Sequence, residues 1–169
     1  MFEKKIFSQN IKIKEPEFTG VMLLIRDSVS FEKLEKQKAF AGTKTDVGAA
    51  IFGVAKGKGL NIVYGSSSPI RIKNGSKVKV IVKVKENDKD PAEIINIFQL
   101  EQEKSKDKRV LTVGKVNFNT TTAEIKFIPF EVSRYGLSSY LVVISNLSAG
   151  EYAITIEGSR DVFNLFGID

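Results

Sequence analysis

The chain ends in two apolar segments joined by a corner, and that pairing limits what it can fold into more than any other stretch. In the first segment Tyr140, Val142 and Ile144 alternate with Leu141 and Val143, so both faces are apolar, as a strand buried on both sides requires. After a turn over 146–150, Tyr152, Ile154 and Ile156 share one parity and Ala153, Thr155 and Glu157 the other. That is the pattern of a half-buried antiparallel strand. Leu147, Gly150 and Tyr152 have the spacing of a tyrosine corner, in which a tyrosine near a strand start returns its hydroxyl to upstream backbone. The expectation is a buried Tyr152 bonded to backbone within 146–149.

Apolar runs recur toward the same end, at 60–64, 77–85, 110–118, 123–130, 139–145, 152–157 and 162–166. Short strands separated by turn residues argue for a sandwich or barrel, with the clearest turns at 65–69 and at Asn74-Gly75. Within 77–85, Val78, Val80, Val82 and Val84 hold one parity, while Lys77, Lys79, Lys83 and Lys85 hold the other with Ile81 among them. Asp90, Pro91 and Glu93 form an N-cap, N1 and N3 set, which predicts one helical turn running into a strand. Ile94, Ile95, Ile97, Phe98 and Leu100 are its core candidates.

The first third of the chain is harder to read. Phe18 to Ile25, with Gly20 as a candidate bulge, is followed by the turn Arg26-Asp27-Ser28 and then Val29 and Phe31, a hairpin signal. Residues 31–40 read as extended, and the glycines of 47–59 give that stretch little preference for helix or strand. Met1 to Lys14 carries Phe2, Ile6, Phe7, Ile11 and Ile13, more apolar surface than a free tail would hold, and reads as an edge strand or an arm of doubtful core role. The expected organisation is a sandwich domain over 60–169, with the hairpins and Gly-rich segment of 1–59 as an arm or a sheet extension.

Composition excludes more chemistry than it suggests. The 169 residues contain neither cysteine nor histidine, which removes disulfides, thiolate nucleophiles, the commonest general base and the commonest zinc ligand. Twenty-six basic against twenty acidic side chains leave a net charge of +6, which permits an anionic partner without requiring one. No run of signal or span length follows Lys4 and Lys5. As written, the chain therefore reads as having no membrane span and as cytoplasmic or virion-associated, or as exported if a leader has been removed.

The motifs that invite a specific chemistry each fail a residue-level test. After Gly48 and Gly53 stands Val54, where a phosphate loop needs lysine and then serine or threonine, and three residues beyond Gly57-Lys58-Gly59 stands Ile62 instead of glycine. Asn87, Asp88 and Asp90 are interrupted by Lys89 and read as a solvated turn, not a calcium loop. Glu101 and Glu103 run into Lys104, Lys106 and Lys108, a charged hairpin end and not a glycosidase pair. The Lys77, Lys79, Lys83 and Lys85 face can attract phosphate or sulfate groups, but it carries no aromatics for stacking, so protection of an exposed sheet face is preferred. Tyr64, Tyr135 and Tyr140 remain candidate contacts, with core or corner roles as their default. No catalytic residue, metal, cofactor or small-molecule substrate is expected.

Three pieces of the chain together resemble a group of uncharacterised bacterial immunoglobulin-like β-sandwich proteins. They are Gly42-Thr43-Lys44-Thr45 with the Gly-rich run after it, Pro91 to Leu100, and the end from Gly150-Glu151-Tyr152-Ala153 to Phe166-Gly167-Ile168-Asp169. The resemblance implies a sandwich with no assigned activity, in a group whose members are often exported. The expectation is thus an all-β, Greek-key, immunoglobulin-like sandwich acting as a non-enzymatic structural or interaction protein. It would belong to a larger assembly, such as a phage virion or a cell surface, with a protein partner or further copies of itself. Contacts would come from Phe2, Ile6, Phe7, Ile11 and Ile13. Polyanion or nucleic-acid binding through the lysine face is the alternative.

Overall fold

The structure, a computed structural model, describes residues 11–45, 47, 51, 56–117, 120–123 and 125–169. The described strands in chain order are β1 (Met22–Ile25), β2 (Phe31–Lys33), β3 (Glu35–Lys38), β4 (Phe40–Thr45), β5 (Lys56–Tyr64), β6 (Arg71–Ile72) and β7 (Val78–Lys83). After one helical turn, α1 (Pro91–Ile94), come β8 (Ile95–Glu103), β9 (Lys108–Asn117), β10 (Thr120–Ala123), β11 (Glu131–Tyr135), β12 (Ser139–Ile144), β13 (Gly150–Ile156) and β14 (Val162–Ile168). The protein is all-β. A five-stranded sheet in the order β11-β12-β7-β1-β2 packs on a second sheet in the order β3-β14-β13-β8-β9-β5-β4, with β10 beside β9 and β6 beside β14.

The layer between the sheets is built from single parities of the strands that face it. Val78, Val80, Val82, Tyr140, Val142 and Ile144 come from one side, and Ile95, Ile97, Tyr152, Ile154, Ile156, Phe166 and Ile168 from the other. Burying one such side chain stabilises by roughly 1.5–3 kcal/mol. β12 is buried along its whole length, because it lies between β7 and β11 with apolar packing on both faces.

Tyr152 is buried, and its hydroxyl donates to Ser148 O at 2.8 Å. Leu147 is half-buried against the same core, and Gly150 opens β13 where Gln99 comes so near that an added Cβ would lie 2.6 Å from its amide nitrogen. The ring of Tyr152 stacks on Phe166 with centroids 5.5 Å apart, so Tyr152→Phe keeps the packing and removes only the bond. We expect a loss on the order of 1 kcal/mol, read as a lower urea midpoint; coincident midpoints would show that the corner bond contributes nothing.

β13 differs from expectation: Glu151, Ala153 and Thr155 are as buried as Tyr152, Ile154 and Ile156. The reason is the curl of the second sheet. β3 and β4 are separated only by Ala39, yet β3 pairs with β14 and β4 with β5, so the two ends of the sheet are two halves of one bent strand. Gln37 fastens the bend, its side-chain amide donating to Tyr64 O at 2.9 Å and accepting from Tyr64 N at 3.1 Å. The sheet thereby wraps a second apolar cluster of Val63, Phe98, Leu100, Leu111, Ala153, Phe163 and Leu165, and this cluster covers the face of β13 that the alternation alone assigns to solvent.

Other local expectations meet mixed outcomes. Asp90 caps α1 by accepting from Ala92 N at 2.9 Å, with Pro91 in the first turn, and β8 follows at once. Residues 31–40 are extended as β2 and β3. Gly20 is not a bulge but a turn residue at φ +80° ahead of β1. The described part of 123–130 is mostly not a strand: β10 ends at Ala123, and beyond it Ile128 N donates to Ile97 O at 2.8 Å. Pro129 has no N–H to give a ladder. Residues before 60 contribute to both sheets, with β1 between β7 and β2, β3 on β14, and β4 on β5.

Candidate functional site

The lysine face of β7 is not one open surface. Val80, Ile81 and Val82 are fully buried, Lys79 is half-buried, and Lys77 and Lys85 are exposed at the strand ends. Lys83 donates to Ser138 Oγ at 2.6 Å and stands 3.5 Å from the Glu15 carboxylate. Ile81 fills the middle of the face because residues 11–15 lie across it: Ile13 is buried against Leu23, Ile81, Leu141 and Val143, with Ile11 beside it. Ile11 and Ile13 thus find apolar surface within their own chain. Phe2, Ile6 and Phe7 lie outside the described residues.

This strap is pinned at both ends. Lys12 N donates to Ser28 O at 2.7 Å, and the hydroxyl of Tyr135 donates to Ile13 O. The carboxylate of Glu15 accepts from Leu137 N and Ser138 N, each at 2.9 Å, and from Ser139 Oγ at 2.7 Å. Gly136 is required there, since it holds φ +59° and an added Cβ would fall 2.3 Å from the Glu15 carboxyl carbon. Burial pushes the Glu15 pKa up, but the bonds from Leu137, Ser139 and Ser138 and the charge of Lys83 outweigh it and hold the group at about 2, against 4.5 in an unfolded chain. A depressed acid contributes stability that is complete above its unfolded pKa and is lost as pH falls through its folded one. The strap is therefore expected to hold above about pH 4.5 and to loosen toward pH 2. The Leu137 and Ser138 amide resonances should titrate together near pH 2, and titration near 4.5 instead would show that the carboxylate is not held.

The densest group of charges lies on the inner side of the curled sheet. Arg109, on β9, is fully buried and spans the Glu35 carboxylate at 3.0 and 3.2 Å while also donating to Glu151 Oε2 at 3.3 Å. Its Nε reaches Gly65 O at 2.8 Å and its Nη2 reaches Tyr64 O at 3.0 Å. Glu151, 1% exposed, accepts further bonds from Ser68 N at 2.7 Å and from Arg71, which also holds Asp169 through Nε at 2.9 Å. Burial opposes the charge on Glu35, but the bonds from Arg109, Ser68 and Gln37 and the charge of Arg109 together outweigh it and lower the pKa; Arg71 lowers that of Asp169. Carboxylates held ionised by fixed arginines make poor proton donors. Among the described residues no three acidic side chains gather as a metal would need. The group ties β3, β6, β9, β13 and the chain end together, and its chemistry is that of a clamp.

A cleft of about 880 Å³ opens where β8 and β9 part. Their ladder consists of Glu101, Gln102 and Glu103 facing Val110, Arg109 and Lys108. Gln99, Leu100 and Glu101 line one wall, Val110, Leu111 and Thr112 the other, and Lys104 and Lys126 stand at the cleft with Gly150. Neither the cleft nor the clamp was singled out from sequence; Arg109 and Glu151 sit at alternating positions that an apolar pattern passes over.

Of the tyrosines, Tyr140 is buried with its hydroxyl donating to Lys89 O at 2.5 Å, whereas Tyr64 is exposed beside Phe40, ring centroids 5.6 Å apart. Glu103 stands among Lys44, Lys106 and Lys108 at 3.9, 3.5 and 3.4 Å, a charged hairpin end. Among the described residues no helix is long and apolar enough to cross a membrane.

No protein-family model, curated protein or solved structure matches the chain.

Proposed function

We propose that this chain is a non-enzymatic structural or interaction module that joins a larger assembly through the edges of its sheets, as part of a virion or a cell surface. The observation that carries the reading is that β2 and β11, at the two ends of the five-stranded sheet, pair on one side only among the described residues. Such edges offer unpaired backbone groups to another strand. Phe31, 49% exposed on β2, adds apolar surface at one of them. The saturated bonding of Arg109, Glu35 and Glu151 supports the absence of catalysis, since each of these buried charges is spent on a fixed partner. An immunoglobulin-like Greek key and kinship with the bacterial sandwich group belong to the same reading.

Light scattering of the whole chain across concentration tests it. Growth in mass that is abolished by Phe31→Lys or Ser133→Lys, charges placed on the two edges, is the expected result. A monomer at every concentration would remove self-assembly and confine the reading to a heterologous partner. A second reading, anion binding, is favoured by one observation: Lys44, Lys58 and Lys115 stand directly opposite one another across β4, β5 and β9. Like charges so placed repel, and a polyanion bound there would show a steep loss of affinity with salt.

A further inference from the structure

A pair of exposed aromatic rings in contact stands beside a group of cations, and the strand register puts both on one face. Phe40 on β4 and Tyr64 on β5 are 53% and 63% exposed, with ring centroids 5.6 Å apart and planes tilted by 57°. Side chains alternate between faces along a strand, so Phe40 and Lys44 share a face of β4, while Lys58, Ile62 and Tyr64 share a face of β5. Phe40 stands opposite Ile62 and Lys44 opposite Lys58, which makes the two faces one. Across the next two strands Tyr64 is opposite Lys108, and Lys108 is opposite Glu103. The surface bends enough to bring Lys44 of β4 to 3.9 Å from Glu103 of β8, where Lys106 and Lys108 stand at 3.5 and 3.4 Å.

Charge on this face is out of balance. Three ammonium groups share the one carboxylate of Glu103, and the acids of β4, β5, β8 and β9 are Glu101 and Glu103, against Lys44, Lys56, Lys58, Lys108 and Lys115. The side chains of Lys44 and Lys106 are 63% and 62% exposed, and an ammonium with three donors can serve a second anion. We propose that this face binds single-stranded nucleic acid, with bases stacking on Tyr64 and Phe40 and the flanking phosphates lying on Lys44, Lys106 and Lys108. An exposed ring takes any base by its π-face, and nearby cations take the backbone, which is how single strands are held without regard to sequence. The inference rests on the anion-binding reading and adds the bases as the second half of the ligand.

The whole chain is titrated at low salt with a labelled oligothymidylate of about ten nucleotides, a length within the range that one such site covers, and binding is read by anisotropy. Tyr64→Ala and Phe40→Ala should each weaken binding about tenfold or more, because each removes a stacking surface. Tyrosine emission gives a second readout: the chain has four tyrosines and no tryptophan, and Tyr135, Tyr140 and Tyr152 are buried or half-buried. Saturable quenching by the oligomer is therefore expected in the parent, whereas Tyr64→Phe should keep the affinity and lose most of the quenching. Lys44→Gln combined with Lys106→Gln should make the fall of log affinity with log salt shallower by about 1.4, two phosphate contacts at about 0.7 each. Equal affinity of the parent and Tyr64→Ala overturns the proposal, as does equal affinity of the parent for an abasic oligomer of the same length; in either case the anion-binding reading stands if affinity still falls steeply with salt. Failure of both oligomers to bind at low salt removes the two together.

Discussion

Val80→Asp is expected to leave no stably folded protein, whereas Lys79→Asp, one residue earlier, is expected to be tolerated. Val80 is 0% exposed and stands between Leu24 of β1 and Val142 of β12. A carboxylate there has no cation to meet, and moving an unpaired charge out of water costs more than about 5 kcal/mol, comparable with the whole stability of a domain. Lys79 points to the other face and is half-exposed, so a change of charge there should cost less than about 1 kcal/mol. Soluble yield, circular dichroism and urea midpoints decide it; a folded Val80→Asp with a midpoint near that of the parent would show that β7 does not face the core.

Arg109→Met should be the most damaging change outside the apolar core. The thioether fills much of the volume, but Glu35 and Glu151 lose the cation that they share, and Tyr64 O and Gly65 O lose their donors. Removing one member of a buried ion cluster typically costs about 3–5 kcal/mol, and here Glu35 loses its guanidinium while Glu151 keeps only Arg71 and Ser68 N. The variant should also respond to pH with altered sign. Without the bonds and charge of Arg109 that lower its pKa, Glu35 is left to the burial that raises it, so the deficit against the parent should shrink as pH falls. Urea midpoints measured for both proteins at neutral and mildly acidic pH check this. A deficit that is small and constant with pH would mean that the cluster is not a mutually dependent clamp.

The strand-by-strand reading succeeded where a segment's surroundings repeat its own pattern. β12 has apolar residues at both parities, and it lies in the middle of its sheet with both faces covered. The Asp90, Pro91 and Glu93 set specifies its helical turn through contacts within four residues, so no distant partner had to be known. Tyr152 reaches back four residues to Ser148, again a local bond. The same local logic failed at β13, where Glu151 and Thr155 look solvent-facing, and at 123–130, where an apolar run suggests a strand although Pro129 has no N–H to give a ladder and β10 ends at Ala123.

The candidate sites were the least legible, because each is assembled from residues far apart in sequence. Arg109 meets Glu35 across 74 positions and Glu151 across 42. Glu15 meets Leu137 across 122. In isolation each looks like an ordinary surface charge, and nothing in its neighbours announces burial.

Periodicity, turn chemistry and the missing histidine and cysteine settled what can be decided within a few residues: an all-β chain, the identity of its central strands, and the catalytic groups that it does not possess. The bend at Ala39 that lets one strand serve both ends of a sheet and the strap over Ile81 were decided only in three dimensions. The physical reason is that alternation tells which residues share a face, while what covers that face depends on strand order and curl, set by contacts between distant parts of the chain.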